Sequence, residues 1–412
     1  MPTLQQSAVT LQDIRDAAQR IAGQVYVSPC TWSEALSQIT GCNIYCKLEY
    51  MQRTGSFKER GARNALMLLD DERKRRGVIA ASAGNHALAL TEHARLLGIP
   101  VTVVMPTSAP LTKIVNCRQR GATVILHGSH IDEARQHAMT LVESQGLTYI
   151  NGYDDPAIIA GQGTIGLEIL EQVPDVDAVI VPVGGAGLIA GIALAIKSLK
   201  PQVKVYGVEP KRVASLTAAL AAGRPVMADI KPTLADGLAV PKVGEHAFAL
   251  ARQHVDAVYT VGERAIALAV LRLIELEKSV VEGAGAAGLA ACMQQLIPDI
   301  QGKNVVLPLC GGNIDTTVIG RIIERGLVVD GRLCRFDATI SDRPGGLAHF
   351  TRVIADTGAS VKDIAHDRAF AGEDLNTVVV HCVLETRDAD HINEVRDRLE
   401  REGFEVNFRD LR

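Results

Sequence analysis

From about residue 78 to residue 330, short β-branched apolar runs alternate with longer amphipathic stretches, and this alternation constrains the fold most strongly. Runs at 78–82, 101–105, 123–127, 148–151, 178–183, 203–208, 257–261 and 305–309 read as strands. Helical patterns separate them, for example at 86–97 and 266–277. Strand, helix, strand repeated in this way means parallel sheets with helices on their faces, so the fold class is α/β. In such sheets ligands lie beyond the carboxyl ends of the strands. With 412 residues, 47% of them hydrophobic and 22% charged, the chain is long enough for two or three domains with sizeable cores.

After Gly331 the rhythm changes to strand, helix, strand, strand, helix, strand: 334–340, 347–357, 360–366, 377–385, 388–402 and 404–408. This β-α-β-β-α-β order is ferredoxin-like. Arg325-Gly326 and Asp330-Gly331 are candidate linker points, and no internal repeat or low-complexity tract is present.

Several classes are excluded. A net charge of −4, evenly mixed in sign, gives no reason to expect a nucleic-acid or membrane partner. No apolar stretch reaches the ~18 residues of a membrane span. The start, Met1 to Gln6, lacks the basic-then-apolar order of a signal peptide. The eight cysteines (30, 42, 46, 117, 292, 310, 334, 382) are scattered, which fits reduced thiols in a cytoplasm rather than a disulfide framework. Cys42 and Cys46 have no second close pair to complete a zinc site, and His127, His130 and His137 read as solvated loop and helix positions, so no metal is expected.

Three compact segments carry chemistry. Lys58, in Ser56-Phe57-Lys58-Glu59-Arg60-Gly61, is a candidate nucleophile, since a neutral lysine amine condenses with an aldehyde. Ser82-Ala83-Gly84-Asn85-His86 is a small polar loop at the end of an apolar run. Gly184-Gly185-Ala186-Gly187 follows another such run and exposes consecutive N–H donors suited to a phosphate. The same glycines also satisfy G-x-G-x-x-A at 185–190, with Glu209 ending the next strand, and 283–288 satisfies G-x-G-x-x-G. A dinucleotide-dependent oxidoreductase is therefore a rival reading. Lys58 favours a carbonyl cofactor with a single phosphate, because hydride transfer does not require it.

These segments, together with Ala235-Asp236-Gly237, Val281-Glu282-Gly283-Ala284-Gly285 and Cys310-Gly311-Gly312-Asn313, resemble the fold-type-II pyridoxal-phosphate enzymes, and within them the threonine dehydratases (threonine ammonia-lyases). The resemblance covers nearly all of residues 10–325. It implies a catalytic domain over 1–328, like the tryptophan synthase β subunit, with a smaller subdomain at roughly 50–155 inserted in a larger one. Residues 329–412 resemble a single ACT domain, a regulatory amino-acid-binding module. The implied cofactor is pyridoxal 5'-phosphate, with Lys58 bonded to its aldehyde, Phe57 packed near its ring and Asn85 on its ring hydroxyl. Gly184, Gly185, Ala186, Gly187 and Leu188 would hold its phosphate, and Cys310 would face its pyridine nitrogen. Ser82, Ala83, Gly84, Asn85 and His86 would receive the substrate carboxylate. An amino-acid effector is expected at Asp342, Pro344, Gly345, Gly346 and Asp363, between paired ACT domains of a homodimer or homotetramer.

Three departures from relatives bear on activity. Cys310 stands where serine is frequent, Ala83 stands where serine racemases carry a proton-transferring serine, and Ser215 stands where metal-activated relatives have an acidic residue shortly after the Glu209 position. Racemisation and a divalent cation are accordingly not expected. The implied reaction is deamination of L-threonine, with L-serine as a further substrate; the alternatives are a serine or threo-3-hydroxyaspartate ammonia-lyase and a non-catalytic amino-acid sensor.

Overall fold

The computed structural model describes residues 9–367 and 376–408; the segment Met1 to Gln6, read above for a signal peptide, lies outside them. The chain divides into two compact units, Met1–Thr316 and Thr317–Arg412. Among the described residues no helix is long and apolar enough to cross a membrane.

In the first unit, β1 (Cys30–Ser33) and β2 (Asn43–Lys47) precede the alternating region. Strands β3 (Val78–Ala81), β4 (Val101–Met105), β5 (Thr123–Leu126) and β6 (Thr148–Tyr149) form a parallel sheet ordered β5-β4-β3-β6. Strands β7 (Ala178–Pro182), β8 (Lys204–Pro210), β9 (Ala257–Val261) and β10 (Asn304–Pro308) join the first two in a sheet ordered β1-β2-β10-β7-β8-β9. All its pairings are parallel except that of β1 with β2. Eight of these ten strands are legible in the sequence. The other two are not, for a physical reason: β1 is an edge strand that buries only Ser33, and β2 ends on a lysine, Lys47, that is fully buried.

Helix Gly187–Leu199 is buried along residues 187–196, the mark of a core helix rather than an amphipathic surface one. Its Gly191 meets Gly163 of helix Pro156–Gln172 so closely that a Cβ on Gly191 would overlap the neighbouring backbone. Asp155 starts the latter helix by accepting from the N–H groups of Ala157 and Ile158, ahead of Pro156 in the first turn.

A charged cluster is buried where these elements meet helix Lys58–Met67. The Arg60 guanidinium gives Glu49 two bonds, at 2.7 and 2.8 Å, and Glu168 two, at 2.6 and 2.8 Å; Thr164 Oγ1 lies at 3.0 Å. All five of its N–H groups are thereby taken. Lys47 donates to Glu168 at 2.5 Å and to Gln172 at 2.9 Å, while Ser28 Oγ donates to Glu49. Two cations face two carboxylates, so the cluster is neutral and hydrogen-bonded, the condition under which buried charge is tolerated.

In the second unit, β11 (Leu333–Ser341), β12 (Ser360–Asp367), β13 (Thr377–Glu385) and β14 (Glu405–Phe408) form an antiparallel sheet ordered β12-β13-β11-β14. Helices Gly346–Asp356 and Ala389–Arg401 complete a β-α-β-β-α-β order. Strict alternation along β13 sends Val378, Val380, Cys382 and Leu384 into the core with Phe336, Phe350 and Leu399.

Removing Arg60 while leaving its carboxylates should be severe. Arg60→Met is expected to destabilise the first unit by about 3–5 kcal/mol, and Arg60→Met with Glu49→Leu to recover part of that loss. Denaturant melts of the two variants measure both; equal stability of Arg60→Met and the unsubstituted protein would contradict this account.

Candidate active site

A cleft of about 630 Å³ opens where the carboxyl ends of β3, β7 and β10 converge, lined by residues that include Lys58, Ser82, Asn85, Gly185, Glu282 and Cys310. Lys58 is the first residue of its helix, and the chain before it is fixed from the β10 side. Phe57 N–H donates to the Cys310 carbonyl and Gly312 N–H to the Gly55 carbonyl, both at 3.0 Å, around a bridge between Ser56 and Gly311. Gly55 adopts φ +76°, and a Cβ there would meet Asn313 Oδ1 at 2.6 Å, so no other residue suits the turn.

The half-buried Lys58 amine donates to the Gly152 carbonyl at 2.6 Å and lies 5.0 Å from the Phe57 ring centre. Burial lowers its pKa from 10.5 to about 8, against the opposing influence of Cys310 and Glu282. Its hydrogen-bond partner is a neutral carbonyl, which does not repay the loss of water around a charge.

The 184–188 segment turns from β7 into helix Gly187–Leu199. Among the described residues none of its five N–H groups has a hydrogen-bond partner. Ala186 sits in the left-handed region at φ +71° immediately before helical residues, and this alternation turns successive N–H groups into one concavity. Side chains at 185 or 187 would collide with the ring or backbone of Tyr153. The concavity is thus bare backbone held open by a packed tyrosine, and it can take an anion without a basic side chain.

Two features that invited a dinucleotide reading prove to be structural. Both Glu209 carboxylate oxygens are spent at the start of helix Ser215–Ala222, on Leu216 N–H at 2.6 Å and on Thr217 N–H and Oγ1 at 3.0 and 2.7 Å, so Glu209 is not free for a ribose. The 283–288 glycines lie within helix Gly283–Met293, where small residues allow close packing on Leu234, Cys310 and Ile180.

Ser82, Ala83 and Gly84 carry the chain from β3 into helix Asn85–Leu97, half-buried at the cleft. Gly84 N–H donates to Ser82 Oγ at 3.3 Å. His86 Nε2 bonds the Ile150 carbonyl at 3.0 Å, which requires the proton on that nitrogen and leaves Nδ1 unpartnered and unable to donate. Burial, helped by the Lys58 charge, lowers the His86 pKa to about 4, so the ring is neutral. Backbone and side-chain donors of the 82–86 segment are expected to receive a carboxylate; His86 can contribute its backbone N–H but not its ring.

Cys310 is buried, its Sγ 3.1 Å from the Pro308 carbonyl, and burial pushes its thiol well above the ordinary range. It remains a neutral thiol. Asn85 meets two residues to which the sequence reading assigned no role: its Nδ2 donates to Glu282 Oε1 and its Oδ1 accepts from Asn313 Nδ2, both at 2.8 Å. Both lie in segments that the sequence singles out, 281–285 and 310–313, and Glu282 is a lone charge in a run of small residues.

The expected effector residues are not gathered in one place within a chain. The 342–346 loop follows Ser341, which pairs with Thr377, and opens helix Gly346–Asp356 behind Gly345 at φ +95°. Asp363 pairs with Val383, six positions along β13 from Thr377. At roughly 3.4 Å per residue the two places lie about 20 Å apart along the sheet.

Unpartnered N–H donors, an amine whose pKa burial lowers to about 8 and a neutral thiol around one cleft fit pyridoxal phosphate. The family model described as pyridoxal-phosphate dependent enzyme matches residues 21–311. An L-threonine ammonia-lyase of Thermotoga maritima is 45% identical over 400 residues, 97% of this chain and 99% of the relative. The processed form of threonine deaminase isoform 2 from Solanum lycopersicum superposes with a TM-score of 0.71 at 39% identity, covering 76% of this chain and 92% of that one. Maize serine racemase gives a TM-score of 0.73 at 34% identity, covering 78% and 98%. The chain therefore belongs to the fold-type-II pyridoxal-phosphate-dependent enzymes.

Proposed function

We propose that this chain is an L-threonine ammonia-lyase that forms 2-oxobutanoate and ammonia and also acts on L-serine. The observation that carries the reading is the Lys58 amine, held between the Phe57 ring and the Gly152 carbonyl in the cleft that the bare 184–188 backbone also lines. The 45% identity with the Thermotoga maritima protein supports threonine as the substrate.

Pyridoxal phosphate, when bound, supplies an aldehyde for Lys58 and an electron sink that acidifies the Cα–H bond of an amino acid. Gly184, Gly185, Ala186, Gly187 and Leu188 would hold its phosphate, with Phe57, Asn85 and Cys310 around its ring. Lys58 accepts the Cα proton as a neutral amine, the form that its burial favours. N–H groups of the 82–86 segment orient the carboxylate. Ala83 has no proton to give, so one face of Cα meets a base and elimination prevails over racemisation. Threonine loses its Cα proton and β-hydroxyl as water; the released enamine regains water and yields 2-oxobutanoate and ammonia.

The C-terminal unit serves, in this reading, as an ACT-like regulatory domain over 329–412, appended to a catalytic domain over 1–328. Its β-α-β-β-α-β order and the glycine turn at 345–346 support that assignment. The separation of Asp363 from the 342–346 loop within one chain supports a site completed by a second copy, hence a homodimer or homotetramer. Eight free cysteines suit a reducing cytoplasm.

Lys58→Ala should lose the visible cofactor band and lower 2-oxo-acid formation on the order of 10⁴-fold; undiminished turnover would exclude Lys58 as the base. In the apoprotein, borohydride-trapped attachment of pyridoxal phosphate at Lys58 should rise with pH to a half-maximum at about 8, because the neutral amine accumulates through its lowered pKa. A half-maximum at the 10.5 of a solvated lysine would remove burial as the cause. Isoleucine titrated into the whole enzyme should shift the threonine saturation curve and raise the melting temperature, while unchanged kinetics and melting with isoleucine and valine alike would leave the C-terminal unit a structural module.

A further inference from the structure

Of the acidic residues that line the cleft, Glu282 is the buried one, and the proposed chemistry does not use it. Glu282 sits at the N-cap of helix Gly283–Met293, yet its side chain bonds no N–H of that helix. The carboxylate turns into the cleft floor instead, where it is 5% exposed and accepts from Asn85 Nδ2 at 2.8 Å. Room for it exists because residue 311 is glycine: a Cβ there would lie 2.6 Å from Glu282 Oε1. Burial, and secondarily the Asp236 carboxylate, pushes its pKa up to about 7, and Lys113 opposes this.

The bonds around Asn85 have a fixed polarity. The Thr54 carbonyl can only accept, so Asn313 must present its NH₂ group there, at 2.7 Å. The second hydrogen of that NH₂ points at Asn85, at 2.8 Å, so the Asn85 atom facing it is the oxygen. The Asn85 NH₂ then lies on the other side, with one hydrogen on Glu282. One N–H of Asn85 is left without a partner among the described residues, while its oxygen is held by Asn313. Lys113 steadies the far end of the chain by donating to the Asn313 carbonyl at 2.6 Å.

We propose that Glu282 is a positioning residue: together with Asn313 it locks the Asn85 amide so that a ligand in the cleft meets only an N–H donor, selecting a deprotonated oxygen on the bound cofactor. The inference rests on the reading of the cleft as a pyridoxal-phosphate site. An Asn85 released from Glu282 can turn its oxygen to the ligand, and an oxygen opposite an oxyanion repels it. Acceptor capacity, rather than charge, is what Asn85 needs from residue 282, so an amide at that position should serve.

The test is cofactor binding by the full-length apoprotein, followed by absorbance and by fluorescence titration with pyridoxal phosphate. Glu282→Ala and Asn313→Ala should each raise the Kd about tenfold, the worth of one charge-assisted hydrogen bond, and shift the visible absorption maximum of the bound cofactor. Glu282→Gln should keep the Kd within about twofold and retain the maximum, because its side-chain oxygen still accepts from Asn85. Melting of each apoprotein separates these effects from misfolding, and the Glu282→Gln comparison stands even where Glu282→Ala does not fold. Wild-type-like affinity and spectrum in Glu282→Ala, or loss of both in Glu282→Gln, would overturn the role of Glu282. An unsubstituted protein that takes no cofactor would instead overturn the reading of the cleft.

Discussion

A guanidinium buried two residues beyond Lys58 anchors the geometry on which the cleft depends. Arg60 joins the segment after β2, through Glu49, to helix Pro156–Gln172, through Glu168, and both bonds run to the helix that begins at Lys58. The two lysines near this cluster have opposite surroundings. Lys47 is more buried but is met by the Glu168 carboxylate. Lys58 has the Gly152 carbonyl as its hydrogen-bond partner, and the Cys310 and Glu282 influences do not offset its burial, so its pKa falls to about 8.

The residues from 151 to 155 show how backbone groups take over work usually given to charged side chains. Asn151 Oδ1 accepts from the N–H groups of Tyr153 and Asp154. The Tyr153 ring then packs against the 184–187 glycines, Asp154 caps helix Glu245–His254, and Asp155 caps helix Pro156–Gln172. Five successive residues thereby join the end of the smaller sheet to the anion concavity and to two helix starts. The concavity itself contains no cation. Its attraction comes from aligned N–H groups at a helix start, which hold a phosphate while leaving Lys58 as the basic group free for proton transfer.

Three buried glutamates further illustrate that burial alone does not assign a role. Glu49 neutralises Arg60, which holds its carboxyl below the usual range despite burial. Glu209 caps a helix through backbone N–H groups. Glu282 has an amide rather than a cation for a partner, so burial, with the Asp236 carboxylate second, moves its pKa the other way. The partner decides the charge state, and the charge state decides the function available.

Periodicity and short motifs disclosed much of this molecule from the sequence alone. Two strands, Val101–Met105 and Ala257–Val261, have the bounds their apolar runs predict, because a β-branched run between turn residues has few other ways to bury itself. Lys58, the 82–86 loop and the 184–187 glycines were also legible, each being local chemistry at a strand or helix end. Other features had no local signal. Strand β2 was hidden by Lys47, whose partner Glu168 lies 121 positions away. The 283–288 glycines matched a nucleotide loop, and only their packing against Ile180 and Cys310 showed them to be helix interior. Glu282 acquires its role from Asn85, 197 positions distant, and Asn85 its orientation from Asn313, 228 positions distant. Sequence fixes which groups a chain carries and which local shapes it favours. How far the pKa of Lys58 falls, and which way an amide faces, depend on desolvation and on partners that only tertiary folding brings within 3 Å.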